Sequence, residues 1–176
     1  MPVFTVIDHT EIGTGGVAYW EETGISASYD HLLIKASLRM EGAHYANSNY
    51  IVLNADGAAN YSGTALYADS SISANSAQRT GDGQTQWMWS TGASATADTF
   101  SVNTVWIPNY ANTANFKQVL ISSGAPNPSV TNNQWIIGQA AWLYSDTAAI
   151  DGIRITPAGG DMAEFSTITL YGITGA

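Results

Sequence analysis

Apolar and polar residues alternate most regularly between positions 32 and 40. Leu32, Ile34 and Leu38 share one face of an extended chain, and Lys35 lies on the other. Because successive side chains of a β-strand point to opposite faces, this period of two predicts a half-buried strand. No window of about 12 residues repeats apolar positions at the period of an amphipathic helix. The pattern therefore predicts strands along the whole chain.

Further extended runs follow at short intervals, and they end at residues typical of turns. Asp56 and Gly57 end one run, and Pro108 with Asn109 ends another, because these residue types favour turn geometry. The predicted strands lie at residues 50–53, 61–68, 86–89, 99–107, 116–121, 135–144, 152–156 and 165–173, with one further candidate at 3–7.

Strands at this spacing, with almost no helical signal, predict an all-β sandwich or barrel. About eight core strands with several long connections favour a β-sandwich, and within that class a jelly roll over a simple meander. No repeat of about 20–50 residues is visible, which disfavours propellers and solenoids. We predict that residues 31–176 form the sandwich domain. The turn-rich, acidic residues 1–30 are interpreted as an N-terminal arm or edge segment.

The composition is that of one domain with a full core. The chain has 176 residues, of which 45% are hydrophobic and 11% aromatic. A domain of this size buries enough surface to need neither disulfides nor structural metal. The absence of cysteine closes the disulfide and thiolate-metal interpretations.

Charge is sparse and one-sided. Only 11% of the residues are charged, and 14 acidic residues against five basic ones give a net charge of -9. The basic residues are not clustered as a phosphate-binding stripe requires, and an acidic surface repels anionic membranes. We therefore expect no nucleic-acid partner and no membrane partner. The small neutral residues between the apolar runs suit turns and surfaces that pack against a neighbour.

No targeting segment is expected. The residues after Met1 have neither the basic region nor the apolar stretch of a signal peptide. The longest apolar runs are far shorter than the roughly 20 residues that span a bilayer. The expectation is a soluble protein made in a cytoplasm.

Motifs that carry catalysis do not appear. The spacings of His9, His31 and His44 match no zinc signature, and the sequence has no Gly-x-Ser-x-Gly elbow. The glycine-rich residues 13–16 are followed by neither the Lys-Ser or Lys-Thr pair nor the predicted helix that a phosphate loop needs. We predict that the protein is not an enzyme, and we assign no catalytic, cofactor-binding or metal-binding residue and no cofactor.

Two constellations have a binding interpretation beside a structural one. Asn54, Asp56 and Asn60 bracket a turn and carry oxygen ligands of the kind that calcium takes, but such residues favour turns without any metal. Trp87 and Trp89 are two residues apart and so share a strand face. Exposed, they would form a platform for a sugar ring; in the core or in a subunit interface they would supply packing. The structural interpretation is favoured for both.

The closing part of the chain resembles the last strands of tailed-phage virion proteins. The residues that carry the resemblance are the strand Ile153-Arg154-Ile155, the turn Gly159-Gly160, the aromatic Phe165 and the final Leu170-Tyr171-Gly172-Ile173. Residues 29–34 resemble the opening core strand of the same proteins. Such domains are jelly rolls in capsid decoration (cement) proteins, head fibres and tail-associated proteins.

The resemblance implies a non-enzymatic virion protein on the outside of a phage capsid, made in the host cytoplasm. It would bind the major capsid protein, bridge neighbouring coat subunits and stabilise the lattice by mass action. Its second expected partner is itself, as a homotrimer whose many modest contacts multiply through avidity. Residues 1–30 would extend its reach as an arm.

The alternative is a tail-fibre or lectin-like module that recognises a host surface glycan. Its binding platform would consist of Trp87, Trp89, Tyr45 and Tyr110. We expect neither a fibre shaft nor a tail-attachment segment, and this expectation favours a compact decoration protein over the alternative.

Overall fold

The computed structural model describes residues 1–70, 73–128 and 135–175, and these residues form β-strands joined by turns and loops. The strands are β1 (Val3–Glu11), β2 (Trp20–Thr23), β3 (His31–Leu38), β4 (Ala46–Leu53), β5 (Tyr61–Asp69), β6 (Ala74–Asp82), β7 (Met88–Thr91), β8 (Ser101–Pro108), β9 (Lys117–Ala125), β10 (Ile136–Tyr144), β11 (Gly152–Pro157) and β12 (Thr167–Thr174). The prediction of an all-β protein is confirmed. Residue 176, where the predicted domain ends, lies outside the described residues.

The strands pair into two antiparallel sheets that pack as a β-sandwich. The large sheet has the order β1-β12-β3-β8-β9-β10-β5-β6, and the small sheet has the order β2-β11-β4-β7. The predicted sandwich is therefore confirmed, with more strands than the sequence pattern indicated. The narrower expectation of a jelly roll stays a prediction. In the described part of the chain no helix has the length and hydrophobicity that crossing a bilayer requires.

The inner faces of the two sheets share one core. On β3, Leu32, Ile34 and Leu38 are almost completely buried, and Lys35 between them is exposed, as the period of two predicts. Most of the core comes from aliphatic and aromatic side chains at the alternate positions of β4, β8, β9, β11 and β12. These include Ile51, Leu53, Val105, Ile107, Val119, Ile121, Ile153, Ile155, Ile168 and Leu170.

Trp142 on β10 joins the large sheet to the loop before β7. Its indole packs on the ring of Trp87, with 4.9 Å between ring centroids, and its Nε1 donates a hydrogen bond to the Gln86 carbonyl at 3.1 Å. The opposite position on β5 is Gly63. A Cβ there would lie 2.3 Å from the indole, so only glycine leaves room for this side chain.

A buried polar network ties the edge of the small sheet to the large sheet. The Trp89 amide on β7 donates to Ser123 Oγ on β9 at 2.8 Å, and Ser123 Oγ also contacts Asn103 Oδ1 on β8. Asn103 Nδ2 in turn donates to Ser101 Oγ at 2.8 Å. Ser123, Asn103 and Ser101 are all buried. The network therefore takes the place of a strand partner for β7 at this edge.

Two strands, β2 and β6, were not predicted from the sequence. β6 contains no large apolar residue and lies at an edge of the large sheet, so it shows no alternation. β2 has only four residues, and its sole large apolar side chain is Trp20. The last strand also begins later than predicted, because Phe165 is exposed and has a left-handed φ of 66°.

Residues 1–30 supply an edge strand to each sheet. β1 pairs with β12 at the edge of the large sheet, and β2 pairs with β11 at the edge of the small sheet. Ile12, Trp20 and Ile25 from this segment are buried in the core. The Trp20 indole also donates to the Asp8 carboxylate at 3.2 Å, which connects β2 to the second half of β1.

Candidate functional site

The outward side of the large sheet carries large apolar side chains that are exposed to solvent. We call it the open face and define it as the outward side chains of β12, β3, β8, β9, β10 and β5. On β10, Ala140, Trp142 and Tyr144 point into the core and are buried. The outward residues of the same strand are all exposed, namely Ile137, Gln139, Ala141 and Leu143.

Strand register arranges the open face into rows that run across the sheet. One apolar row contains Leu33, Trp106, Leu120 and Ala141, and a second contains Val102, Gly124 and Ile137. A polar row of Lys35, Thr104, Ser122 and Gln139 lies between them and ends at Leu66. Leu120, Val102, Ile137 and Leu66 have 47–67% of their surface exposed. Large apolar side chains are thus exposed to solvent on four adjacent strands, β8, β9, β10 and β5.

The open face carries no acidic residue. Its outward positions hold one side chain with a full charge, Lys35, whose Nζ donates to Thr104 Oγ1 at 2.9 Å. The chain as a whole has 14 acidic residues and a net charge of -9. The carboxylates are therefore confined to other surfaces, and this face is close to neutral in an acidic protein. Exposed apolar surface with so little charge is a feature that interaction sites often share.

The outward side of the small sheet has a different character. Arg154 on β11 forms an ion pair with Glu21 on β2, with Nη2 and Oε1 2.9 Å apart. The guanidinium carbon of Arg154 also lies 4.7 Å from the centre of the Tyr19 ring. Charged residues on this side are paired within the chain, so the two outer surfaces of the sandwich are chemically distinct.

A shallow groove crosses the open face toward β6. It has a volume of about 470 Å³, and its apolar lining includes Trp106, Leu120 and Leu143, with Arg79 and Gln118 among the polar residues. The Trp106 ring lies 4.8 Å from the ring of His31, centroid to centroid. The groove is therefore an aromatic and aliphatic trough with polar groups along its sides.

The residues of the expected glycan platform do not come together on a surface. Trp89 and Tyr110 are buried, and Trp87 packs against the core beside Trp142. Trp87 has a left-handed φ of 66° and precedes β7, so the alternation that would place it beside Trp89 does not extend to it. Tyr45 is half-buried in a different part of the chain.

The three histidines lie apart from one another. His9 Nδ1 is 2.8 Å from Thr169 Oγ1, and His31 Nδ1 accepts a hydrogen bond from the Asn109 amide at 3.1 Å. His44 lies in the loop before β4. Across residues 1–70, 73–128 and 135–175, no three His, Asp or Glu side chains form a group that could hold a metal ion.

Asp56, one of the candidate calcium ligands, is bound by donors of the protein itself. Its carboxylate accepts from the Ala58 amide at 2.8 Å, from Asn60 Nδ2 at 2.8 Å and from the Tyr144 hydroxyl at 3.0 Å. The Asn54 side chain is turned to the Ala149 carbonyl and the Asp151 amide. These contacts fix the turn geometry that the sequence favours at this position.

The hydrogen bonds to Asp56 make the stability of the protein depend on pH. The Ala58 amide, and after it Asn60 Nδ2, lower the pKa of Asp56 below its ordinary value. Because the folded pKa lies below the unfolded one, this stabilisation is present above the unfolded pKa and is lost as the pH falls through the folded pKa. We expect the wild-type urea midpoint to fall more steeply below about pH 4 than that of Asp56→Asn. Parallel pH profiles would refute this prediction, and Tyr144→Phe is expected to give an intermediate profile.

Comparisons with protein-family models, curated protein sequences and solved structures match nothing to this chain. The resemblance of residues 149–173 to phage virion proteins therefore stays a prediction. The open face itself was not predicted from the sequence. The signal was present, because the strand at residues 99–107 has Val102 and Trp106 at one parity and Val105 and Ile107 at the other.

Proposed function

We propose that the protein is a non-enzymatic structural protein that binds another protein through the open face. The observation that carries the proposal is the combination of exposed apolar rows with the absence of carboxylates on that face. Burial of apolar surface is the main favourable term in protein association. A neutral face also lets an acidic protein approach a partner without desolvating its own charges.

The partner that we propose is the coat lattice of a tailed-phage capsid, so that the protein acts as a decoration protein on the capsid exterior. The resemblance of the closing strands supports this choice, and an open face on a rigid sheet suits a flat shell of coat subunits. A subunit that binds only the assembled shell stabilises that shell by mass action. Within that lattice, the major capsid protein would be the subunit that the open face contacts.

The test is binding of purified protein to expanded capsids, measured by sedimentation. We expect saturation at a stoichiometry fixed by the lattice. Leu120→Glu and Ile137→Glu are expected to weaken this binding by about thirtyfold or more, because each places an unpaired carboxylate in a dehydrated apolar contact. Both side chains are substantially exposed in the free protein, so the variants should fold normally.

The matched control is Thr23→Glu, which adds the same charge on the outward side of the small sheet. Thr23 is exposed and pairs with Gly152, so the substitution is expected to leave capsid binding unchanged. Equal loss of binding in all three variants would assign the effect to net charge and refute the role of the open face. Absence of binding to capsids of any maturation state would refute the decoration role.

The glycan-binding alternative now depends on Trp106 in the groove of the open face, since Trp87 and Trp89 are packed in or against the core. An aromatic ring with amides nearby can stack on a sugar and bond its hydroxyls. A glycan array is the measurement for this alternative. Saturable glycan binding that Trp106→Ala removes, without any association with capsids, would replace the decoration role.

A further inference from the structure

The two edges of the large sheet differ in a way that bears on assembly. β6, at one edge, has the sequence Ala-Asn-Ser-Ala-Gln-Arg-Thr-Gly-Asp, with the exposed Arg79 and the left-handed Gly81 in its second half. Polar side chains, charge and irregular backbone are the usual protection of an exposed strand edge. This edge is therefore built to stay unpaired.

The opposite edge lacks this protection in its first half. β1 begins Val3, Phe4, Thr5, Val6 and Ile7, a run that is uncharged and rich in strand-forming residues. The carboxylates of β1 are confined to its second half, beyond the register shift between Val6 and Asp8. In the described part of the chain, β1 has β12 on one side and no strand on the other.

The start of this half of β1 is exposed on both faces, whereas Ile7 at its end packs against the core. Val3, Phe4 and Val6 are each more than half exposed, although alternate residues of a strand point to opposite faces. Asp8, by contrast, is covered by the Trp20 indole of β2. Phe4 is nevertheless held in place, because its ring packs on the Tyr171 ring in a T-shaped arrangement, with 6.5 Å between the ring centroids. The strand is thus ordered by β12 before any partner arrives.

We infer that the first half of β1 pairs with the same strand of a second copy, antiparallel and across a two-fold axis. An ordered strand edge is complementary in backbone hydrogen bonding to an antiparallel copy of itself. The run of residues 3–7 carries no charge and so brings no like charges together. Because such an isologous contact uses the same patch on both copies, it closes at two subunits. The homotrimer expected from the sequence would require a different contact.

The geometry of this pairing has a consequence for the open face. A two-fold axis perpendicular to the sheet reverses the strand direction and keeps the same face of both sheets on the same side. The dimer would therefore present two open faces in one direction, joined through Phe4 and Val6, whose cross-strand neighbours on β12 are Ile173 and Tyr171. Two binding faces on one rigid body raise avidity for a repeating surface.

The pairing itself does not depend on the proposed capsid role, and it is tested first in solution. A contact limited to one strand edge is smaller than the roughly 1,600 Å² of a standard interface, so we expect a monomer–dimer equilibrium in the micromolar range or weaker. Sedimentation equilibrium over a wide concentration range measures it. We expect Val6→Lys to weaken dimerisation by about tenfold or more, because it places two like charges close to the axis on an apolar strand edge.

The matched control is Gln78→Lys, which places one exposed lysine on the opposite edge strand and should leave dimerisation unchanged. Because the chain has no cysteine, a disulfide formed between two copies of a single-cysteine variant shows directly that the replaced positions are in contact. Oxidation of Phe4→Cys, Thr5→Cys and Val6→Cys is expected to link the dimer at one or more positions, and Gln78→Cys should not be linked. A monomer at every concentration, or equal linking at position 78, would overturn the inference.

A third outcome would assign the β1 edge to a different partner. If the protein is monomeric at every concentration but Val6→Lys abolishes capsid binding, β1 pairs with a strand of the coat protein and the self-pairing inference is wrong. If dimerisation is confirmed and capsid binding is absent, the inference stands and the proposed function fails. The two proposals are therefore separable by the same set of variants.

Discussion

Replacement of Trp142 with alanine is expected to destabilise the protein by about 3–5 kcal/mol, the range found for removal of a buried tryptophan. The side chain is almost completely buried between the sheets. Its loss removes the packing on Trp87 and leaves the Gln86 carbonyl without the indole donor. Gly63 on the neighbouring strand has no side chain with which to fill the space, so the cavity will collapse only in part. Urea denaturation followed by circular dichroism measures the change.

The neighbouring residue in the same strand is the control. Leu143 points to the open face and is partly exposed, so Leu143→Ala is expected to cost about 1 kcal/mol or less. The pair of variants therefore compares the two faces of one strand at adjacent positions. If both substitutions cost the same, β10 does not separate the core from the open face, and this prediction is wrong.

The fold class was predictable because the core depends on a short-range pattern. On β3 the buried residues follow a period of two, and this period needs no knowledge of the rest of the chain. The same holds for the end of β11, where Pro157 is the last residue of the strand and cannot donate to a sheet ladder. These features depend only on residues that are neighbours in the sequence, so the sequence pattern is enough to predict them.

The features that the sequence pattern does not predict depend on contacts with residues far away in the chain. β6 is a strand because it pairs with β5, and its own side chains carry no strand pattern. The spacing of Trp87 and Trp89 predicts that they share a strand face, but the left-handed backbone at Trp87 breaks the alternation. The amide of Trp87 is bound there by Ser48 Oγ at 2.8 Å, a contact across 39 positions. Local rules cannot anticipate such a contact.

The open face could not be predicted from the sequence for a related reason. A strand with apolar residues at both parities can be buried on two sides or can present one side to a partner, and sequence alone does not separate these cases. In β8 the structure separates them: Val105 and Ile107 face the core, and Val102 is largely exposed. The absence of carboxylates from the open face becomes visible only when six strands, drawn from residues 31–174, are placed side by side.

Replacement of Ser123 with alanine is the second substitution with a large expected effect, about 2–3 kcal/mol, because it leaves buried polar groups without partners. Ser123 Oγ accepts the hydrogen bond of the Trp89 amide and also contacts Asn103 Oδ1. Neither group has a route to solvent, since Trp89 and Asn103 are both buried. The loss would loosen β7 from the large sheet, so hydrogen exchange should quicken at the Trp89 amide before it does in β3.

Ser122→Ala is the control for this prediction. Ser122 is the preceding residue of β9, and it points to the open face, where it is exposed to solvent. Its replacement is expected to change the free energy of unfolding by about 0.5 kcal/mol or less. Asn103→Ala combined with Ser123→Ala should cost less than the sum of the two single variants, because the two side chains share one contact. Additive costs would mean that Ser123 and Asn103 act separately, and the network that holds β7 against the large sheet would then reduce to the bonds between Ser123 Oγ and the Trp89 backbone.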